Sequence, residues 1–222
     1  MNDRDAILHA VREALDSTGI PSGEVALPDP SRAGLSLTHE QMVGRFIEEV
    51  EAVSGRVHRV VDIDAGARQL ESLIRGGKIA SLVVSHHPLA RAISSRVIGK
   101  HLVVDPEDDR DAIAEADMGL TGVRLAIAEH GTLMLAPEDD HGRLAALLPP
   151  HHVAVVRESE LVGTLAEAIE HLGIDPQPAT ITFVSGPSRT ADIEQTLVIG
   201  IHGPALLDIV LIEDIQKETP DS

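Results

Sequence analysis

Residues 56–84 constrain the fold more than any other stretch of this chain. Arg56 to Val61 reads as a short strand, and Asp64 to Arg75 as a helix whose apolar face is Leu70, Leu73 and Ile74. Gly76-Gly77 then turns the chain into an apolar run, Ile79 to Val84, with the character of a buried strand. Two strands joined through one helix cannot form a hairpin. They lie parallel, which requires a crossover and a sheet covered by helices.

The same alternation continues along the chain. Thr38 followed by Gln41 is a capping-box pattern, opening a helix with Met42, Val43, Phe46, Ile47, Val50 and Val53 at helical spacing and Gly55 at its end. A short helix over Pro88 to Ser95 and a strand over Leu102 to Val104 follow. His141 to Leu148 and Leu161 to Leu172 read as helices; Val153 to Val156, Ala179 to Val184 and Leu207 to Ile212 read as strands. Between them, Val123 to Ala128 and Thr132 to Leu135 flank Glu129-His130-Gly131, a hairpin in which Gly131 suits a positive φ. The fold expected is α/β, an open, mainly parallel sheet flanked by helices with a hairpin insertion. The organisation expected is a helix (residues 3–18) and Pro-rich connector over 1–37, one α/β domain over 38–212, and a polar tail over 213–222.

Composition narrows the chemistry. The 222 residues hold only two aromatics, Phe46 and Phe183, so the core is built from Ala, Val, Leu and Ile. A formal charge of −18, with the cations scattered, argues against nucleic acid and anionic membrane surfaces as partners. Without cysteine the chain has no disulfide, thiolate nucleophile or Cys-ligated cluster of its own. No apolar run approaches the roughly 18 residues of a membrane span, and the start lacks the pattern of a signal peptide, so a cytoplasmic location is expected. The acidic stretch Pro106 to Asp111 reads as a solvated loop.

Two segments can carry chemistry. Ser185-Gly186-Pro187-Ser188-Arg189-Thr190-Ala191-Asp192 follows an apolar strand and gathers hydroxyls, a guanidinium and glycine-freed backbone N–H groups. If that strand belongs to the parallel sheet, the loop stands where open sheets bind ligands; the alternative is a turn in which Ser188 and Thr190 cap a short helix. Arg189 would grip a carboxylate or phosphate, with Gly186, Ser188 and Thr190 as further donors. Asp192, Glu194 and His202, the last beyond an apolar Leu197 to Ile201 run, are candidate acids or bases. The second segment is the hairpin tip, with Glu129 as base or nucleophile beside Gly131 and Thr132. Asp117 to Gly122 precedes it as a candidate donor loop that supplies Thr121 and Gly122. The pairs His86-His87 and His151-His152 lack metal-ligand spacing, because adjacent residues of a strand face opposite ways. His151-His152, after Pro149-Pro150, reads as a loop leading into a strand, and no metal site is expected.

Together these segments resemble the LUD-domain family, in its lactate utilisation protein C branch. The likeness rests on Phe183-Val184-Ser185-Gly186-Pro187-Ser188-Arg189-Thr190-Ala191-Asp192-Ile193-Glu194, continuing from Gln195-Thr196 to Gly203-Pro204. It is supported by Thr121-Gly122 with Ala126 to Leu133, and by Leu147 to Val153. The sequence departs from the pattern at His130, where related sequences often read Glu-Thr-Gly-Thr. The resemblance implies a fold like that of ribose-5-phosphate isomerase, glucosamine-phosphate deaminase and the CoA transferases. It also implies a part in oxidising L-lactate to pyruvate, with iron–sulfur clusters carried by partner proteins and no cofactor bound by this chain. A small 2-hydroxy or 2-oxo carboxylate is the expected ligand. A non-catalytic scaffold or maturation factor for those partners, or a CoA-transferase-like or isomerase-like enzyme using Glu129, are the alternatives. Homo-oligomerisation is left open.

Overall fold

The computed structural model describes residues 3–17, 37–97, 102–104, 110–136, 140–172, 180–191, 197–199 and 203–213. The chain divides into an amino-terminal unit, Met1–Arg32, and a larger one, Ala33–Ser222. The first contributes helix α1 (Asp3–Ser17). Most of the Pro-rich connector and the polar tail lie outside the described residues.

The larger unit opens with α2 (His39–Ala52), capped as its sequence demands. Thr38 Oγ1 accepts the Gln41 N–H at 3.3 Å and Gln41 Oε1 accepts the Thr38 N–H at 2.8 Å. Strand β1 (Arg56–Val60), helix α3 (Ile63–Gly77) and strand β2 (Ser81–Val84) form the expected crossover. Then follow α4 (Pro88–Ser94), β3 (Leu102–Val104), α5 (Arg110–Ala114) and β4 (Met118–Gly122). After these come β5 (Leu125–Ile127), a 3₁₀ turn (Ala128–His130), β6 (Thr132–Leu135), α6 (Asp140–Leu147) and β7 (His151–Arg157). A second 3₁₀ turn (Glu158–Glu160), β8 (Leu161–Val162) and α7 (Leu165–Leu172) lead on to β9 (Thr182–Val184), β10 (Arg189–Ala191), β11 (Leu197–Ile199) and β12 (Leu206–Ile212).

Six strands form one parallel sheet in the order β1-β12-β7-β4-β2-β3. Helices α3 and α4 cover one face through Leu70, Leu89 and Ile93, packed on Leu82, Leu120, Val153 and Val210. The other face carries α2 and the small sheet β8-β5-β6-β9, through Val43, Phe46 and Val50 with Ala126, Leu133, Ala154 and Ile209. The hairpin insertion is thus the centre of a four-stranded sheet of its own, and Gly131 takes the positive φ expected of it, +57°.

Four local expectations are corrected. Asp117 to Gly122 is not a donor loop: its last five residues are β4, in the middle of the main sheet. Glycine lowers strand propensity, but here it marks close approach, since a Cβ at Gly119 would stand 1.8 Å from the Ala145 carbonyl oxygen. Asp117 anchors that strand, accepting the Ala80 and Ser81 N–H groups at 2.8 and 2.9 Å, and these bonds hold its carboxyl below the usual range. His151-His152 belongs to β7 itself, paired to Leu206 and Leu207 of β12. The helix expected from Leu161 starts at Leu165, because Leu161-Val162 adds a parallel edge strand beside β5. Finally, β9 is an antiparallel edge strand on β6 with Phe183 45% exposed, rather than a buried parallel strand. The turn after it leads into an antiparallel hairpin, β10-β11, in place of a capped helix.

Candidate functional site

Strand order locates the crevice. From β2 the chain leaves through α4, on one face, to β3; from β4 it leaves through the small sheet and α6, on the other face, to β7. Neighbouring parallel strands whose connections diverge in this way open a crevice at their carboxyl ends. A cavity of about 460 Å³ lies there, within the usual range for small-molecule sites. Its walls include His86, His87, Thr121, Gly122, Arg124 and Glu160.

Each wall residue is held by its local backbone. Ser85 N–H donates to the Leu120 carbonyl at 2.9 Å and its hydroxyl accepts the Gly122 N–H at 3.3 Å, tying β2 to β4 where they end. His87 is the N-cap of α4, with Pro88 following in the helix's first turn. Its Nδ1 accepts the Leu89 N–H at 3.3 Å. Gly122 makes room for that ring: a Cβ there would stand 1.9 Å from His87 Cγ and Nδ1. Behind Thr121 stands His152, whose Nε2 lies 2.8 Å from the threonine Oγ1. Burial pushes the His152 imidazole down to about 3, helped by neighbouring His151, so the ring is neutral at physiological pH. Arg124 starts the run into β5 with its N–H on the Met134 carbonyl; its exposed guanidinium has no acidic partner among the described residues. Glu160 Oε2 accepts the Arg157 N–H at 2.8 Å. The lining thus combines the Arg124 guanidinium, the Thr121 hydroxyl, two imidazoles and the Glu160 carboxylate with the apolar Val123 and Leu135, and the guanidinium is the group in it that can pair with a small anion.

Of the residues singled out by sequence, Thr121 and Gly122 line this cavity. Glu129 does not. It sits on the first 3₁₀ turn, its N–H on the Gly163 carbonyl and its carboxylate 3.4 Å from the Leu165 N–H and 3.5 Å from His130 Nδ1. That turn and the cavity are at opposite ends of β5 and β6, roughly 10 Å apart along the strands. Gly131 is pressed against α2, and Thr132 Oγ1 lies 2.7 Å from Ser185 Oγ, so two of the motifs do meet. Gly186, at φ +97°, packs on Val53 just ahead of β1. Ser188 donates its N–H to the Pro204 carbonyl at 2.9 Å, beside Gly203. These contacts put the described part of the hydroxyl-rich segment at the amino-terminal edge of the main sheet, across the sheet from the cavity. Arg189 and Thr190 form β10, their backbones paired with Ile199 and Val198. Asp192, Glu194 and His202 lie outside the described residues.

Sequence reasoning missed His86, His87, Arg124, Glu160 and His152 as site residues. The available signal was His-His-Pro directly after a buried strand, a pattern for an N-cap with Pro opening the helix. It also missed the buried carboxylate of Asp208. Arg56, His58 and His151 all hydrogen-bond that carboxylate from β1 and β7, and Gln69 of α3 holds the far nitrogen of His58 at 3.0 Å. His151 therefore faces Asp208 on one side of the sheet while His152 faces Thr121 on the other. No group of three His, Asp or Glu side chains among the described residues is arranged to hold a metal ion. No helix among them is long and apolar enough to cross a membrane.

Comparison with known proteins agrees with this architecture. The LUD domain model matches residues 43–212, from α2 to the end of β12. Lactate utilization protein C of Shouchella clausii is 36% identical over 117 residues, 50% of this chain and 51% of that protein. The protein of the same name from Bacillus licheniformis is 40% identical over 105 residues, 45% of this chain and 44% of that one. The matched region thus spans about half the length of these relatives. A crystal structure of a DUF162 family protein from Deinococcus radiodurans shares the fold, with a TM-score of 0.61 at 22% identity over 79% of this chain and 99% of that one. The family match runs through both faces of the parallel sheet and the strands that border the cavity, and the chain belongs to the LUD domain family.

Proposed function

We propose that this chain serves in lactate utilisation by holding a small 2-hydroxy or 2-oxo carboxylate in the cavity between the carboxyl ends of β2 and β4. The observation that carries the reading is Arg124, an exposed guanidinium on the rim of that cavity without an acidic partner among the described residues. A guanidinium binds a carboxylate through two parallel N–H bonds, and Thr121 adds a hydroxyl. The relatives named lactate utilization protein C supply the substrate class. Electrons leaving lactate need an acceptor, and a chain without cysteine offers no thiolate for a cluster. Iron–sulfur partner proteins would therefore carry the redox step.

The test is calorimetric titration of the protein with L-lactate and pyruvate, with ribose-5-phosphate and acetyl-CoA as controls. Saturable heat with either acid is expected, weakened at least about tenfold in Arg124→Gln. The parallel variant Arg189→Ala separates the two arginines: a loss there with none in Arg124→Gln would move the carboxylate site to the amino-terminal edge. No heat from either acid would reject carboxylate binding, and stable co-purification with iron–sulfur proteins would then favour the scaffold role.

A further inference from the structure

Helix α1 presents an apolar stripe to solvent. Ile7, Leu8 and Val11 lie along one side of it, 63%, 42% and 50% exposed, and the sequence continues the spacing to Leu15. A helix of 15 residues is about 22 Å long, and helices of that length are marginal in water unless such a stripe is buried. The two edges of the stripe differ in character. At roughly 100° per residue, Asp5 and Arg12 border one edge, and Ile7 and Ala14 border the other. Asp5 and Arg12 are both exposed, and their spacing puts them two turns apart, beyond reach of each other within one helix.

We infer that α1 pairs antiparallel with α1 of a second copy of this chain, forming a symmetric dimer of low affinity. The direction follows from the edges. In a parallel pair, the charged edge of one helix would face the apolar edge of the other. In an antiparallel pair like edges meet. Asp5 of each copy then faces Arg12 of the other, while Ile7 faces Ala14 and Leu8 faces Val11. The charged edge complements itself on reversal because its acid and its base stand at opposite ends, which is what a two-fold contact requires. A membrane surface fits less well: α1 has four acids against two arginines, and the whole chain carries a formal charge of −18. Helices that lie on anionic lipid have the opposite balance. Two helices of this length bury less than a standard interface, so the association is reversible.

The experiment is sedimentation equilibrium of the full chain. From about 5 to 500 μM the protein should show a monomer–dimer equilibrium, with a dissociation constant on the order of 100 μM. Asp5→Arg and Arg12→Asp each set like charges against each other on the paired edge, and each should weaken the dimer at least about fivefold. Asp5→Arg/Arg12→Asp restores opposite charges and should return the affinity to within about threefold of wild type. That rescue separates pairing between copies from a stripe that only packs or dissolves better. Val11→Glu puts a charge in the centre of the stripe and should leave a monomer over the whole range. A double variant no tighter than the singles, or a Val11→Glu dimer as tight as wild type, would overturn the inference. A wild-type monomer throughout would overturn it too, and leave the stripe to a different protein or to this chain's own surface.

Discussion

Gly122 and the ring of His87 occupy space that cannot be shared: a β-carbon at 122 would stand 1.9 Å from the imidazole Cγ and 2.6 Å from its Cβ. The contact is at the root of the side chain, so the ring cannot swing clear without moving α4, which it caps.

Gly122→Ala should therefore disturb the cavity more than the fold. Overpacking costs about 1–3 kcal/mol, and the strain falls on His87. The expected result is a protein with an unfolding midpoint lowered by a few degrees and acid affinity reduced at least tenfold, with stability recovered in Gly122→Ala/His87→Ala. Calorimetry and thermal unfolding measure both. Full affinity in the single variant would show that the ring is not part of the site.

Asp208 predicts the acid limb of stability. Burial opposes its ionisation, but hydrogen bonds from His151, His58 and Arg56 outweigh that and hold the carboxyl far below its ordinary range. Because the folded value lies below the unfolded one, ionised Asp208 stabilises the fold above about pH 3.9, and the contribution is lost as pH falls further. Asp208→Asn should cost about 3–5 kcal/mol near neutral pH and should flatten the decline in urea midpoint between roughly pH 5 and 2. A parallel decline in both proteins would refute this role.

Arg59 clamps three segments. It hydrogen-bonds the buried Glu158 after β7 and Glu40 of α2, which raise its pKa, and lies 3.4 Å from Glu213 after β12. Arg59→Met leaves Glu158 with the His39 Nε2, 3.3 Å away, as its remaining ring partner among the described residues. A loss of about 2–3 kcal/mol in urea unfolding is expected, less than for a fully buried pair because the guanidinium is partly solvated. Adding Glu158→Gln should restore part of it.

Two glycines near α2 should respond oppositely to alanine. At Gly131, φ is +57° and a Cβ would stand 2.5 Å from the Val50 nitrogen, so Gly131→Ala should lose at least about 2 kcal/mol. Gly44 lies inside α2 with nothing within 4 Å of its Cβ position, and Gly44→Ala should gain up to about 1 kcal/mol. Thermal unfolding of the pair checks both signs.

Local signals carried much of this fold. The capping box at Thr38 and Gln41 and Gly131 at a positive φ are decided within a few residues, the crossover from Arg56 to Val84 by the order of its strand and helix periods, and each is legible in a single sequence. β4 was not, because Gly119 and Gly122 lower strand propensity; what they serve, the Ala145 carbonyl and the His87 ring, approaches from elsewhere in the chain. The crevice was hidden with it, since divergence between β2 and β4 is visible only once β4 is known to be a strand.

The sequence alone settled the class of the protein: helix and strand periods, an aliphatic core, a strong negative charge and the absence of thiols follow from residue identity and spacing. It could not say which polar residues share a site. Thr121 and His152 are 31 positions apart, and Asp208 is 152 positions from Arg56. Their meeting depends on strand order and on which way each side chain faces, so His151 and His152, adjacent in sequence, end on opposite faces of one sheet with different tasks.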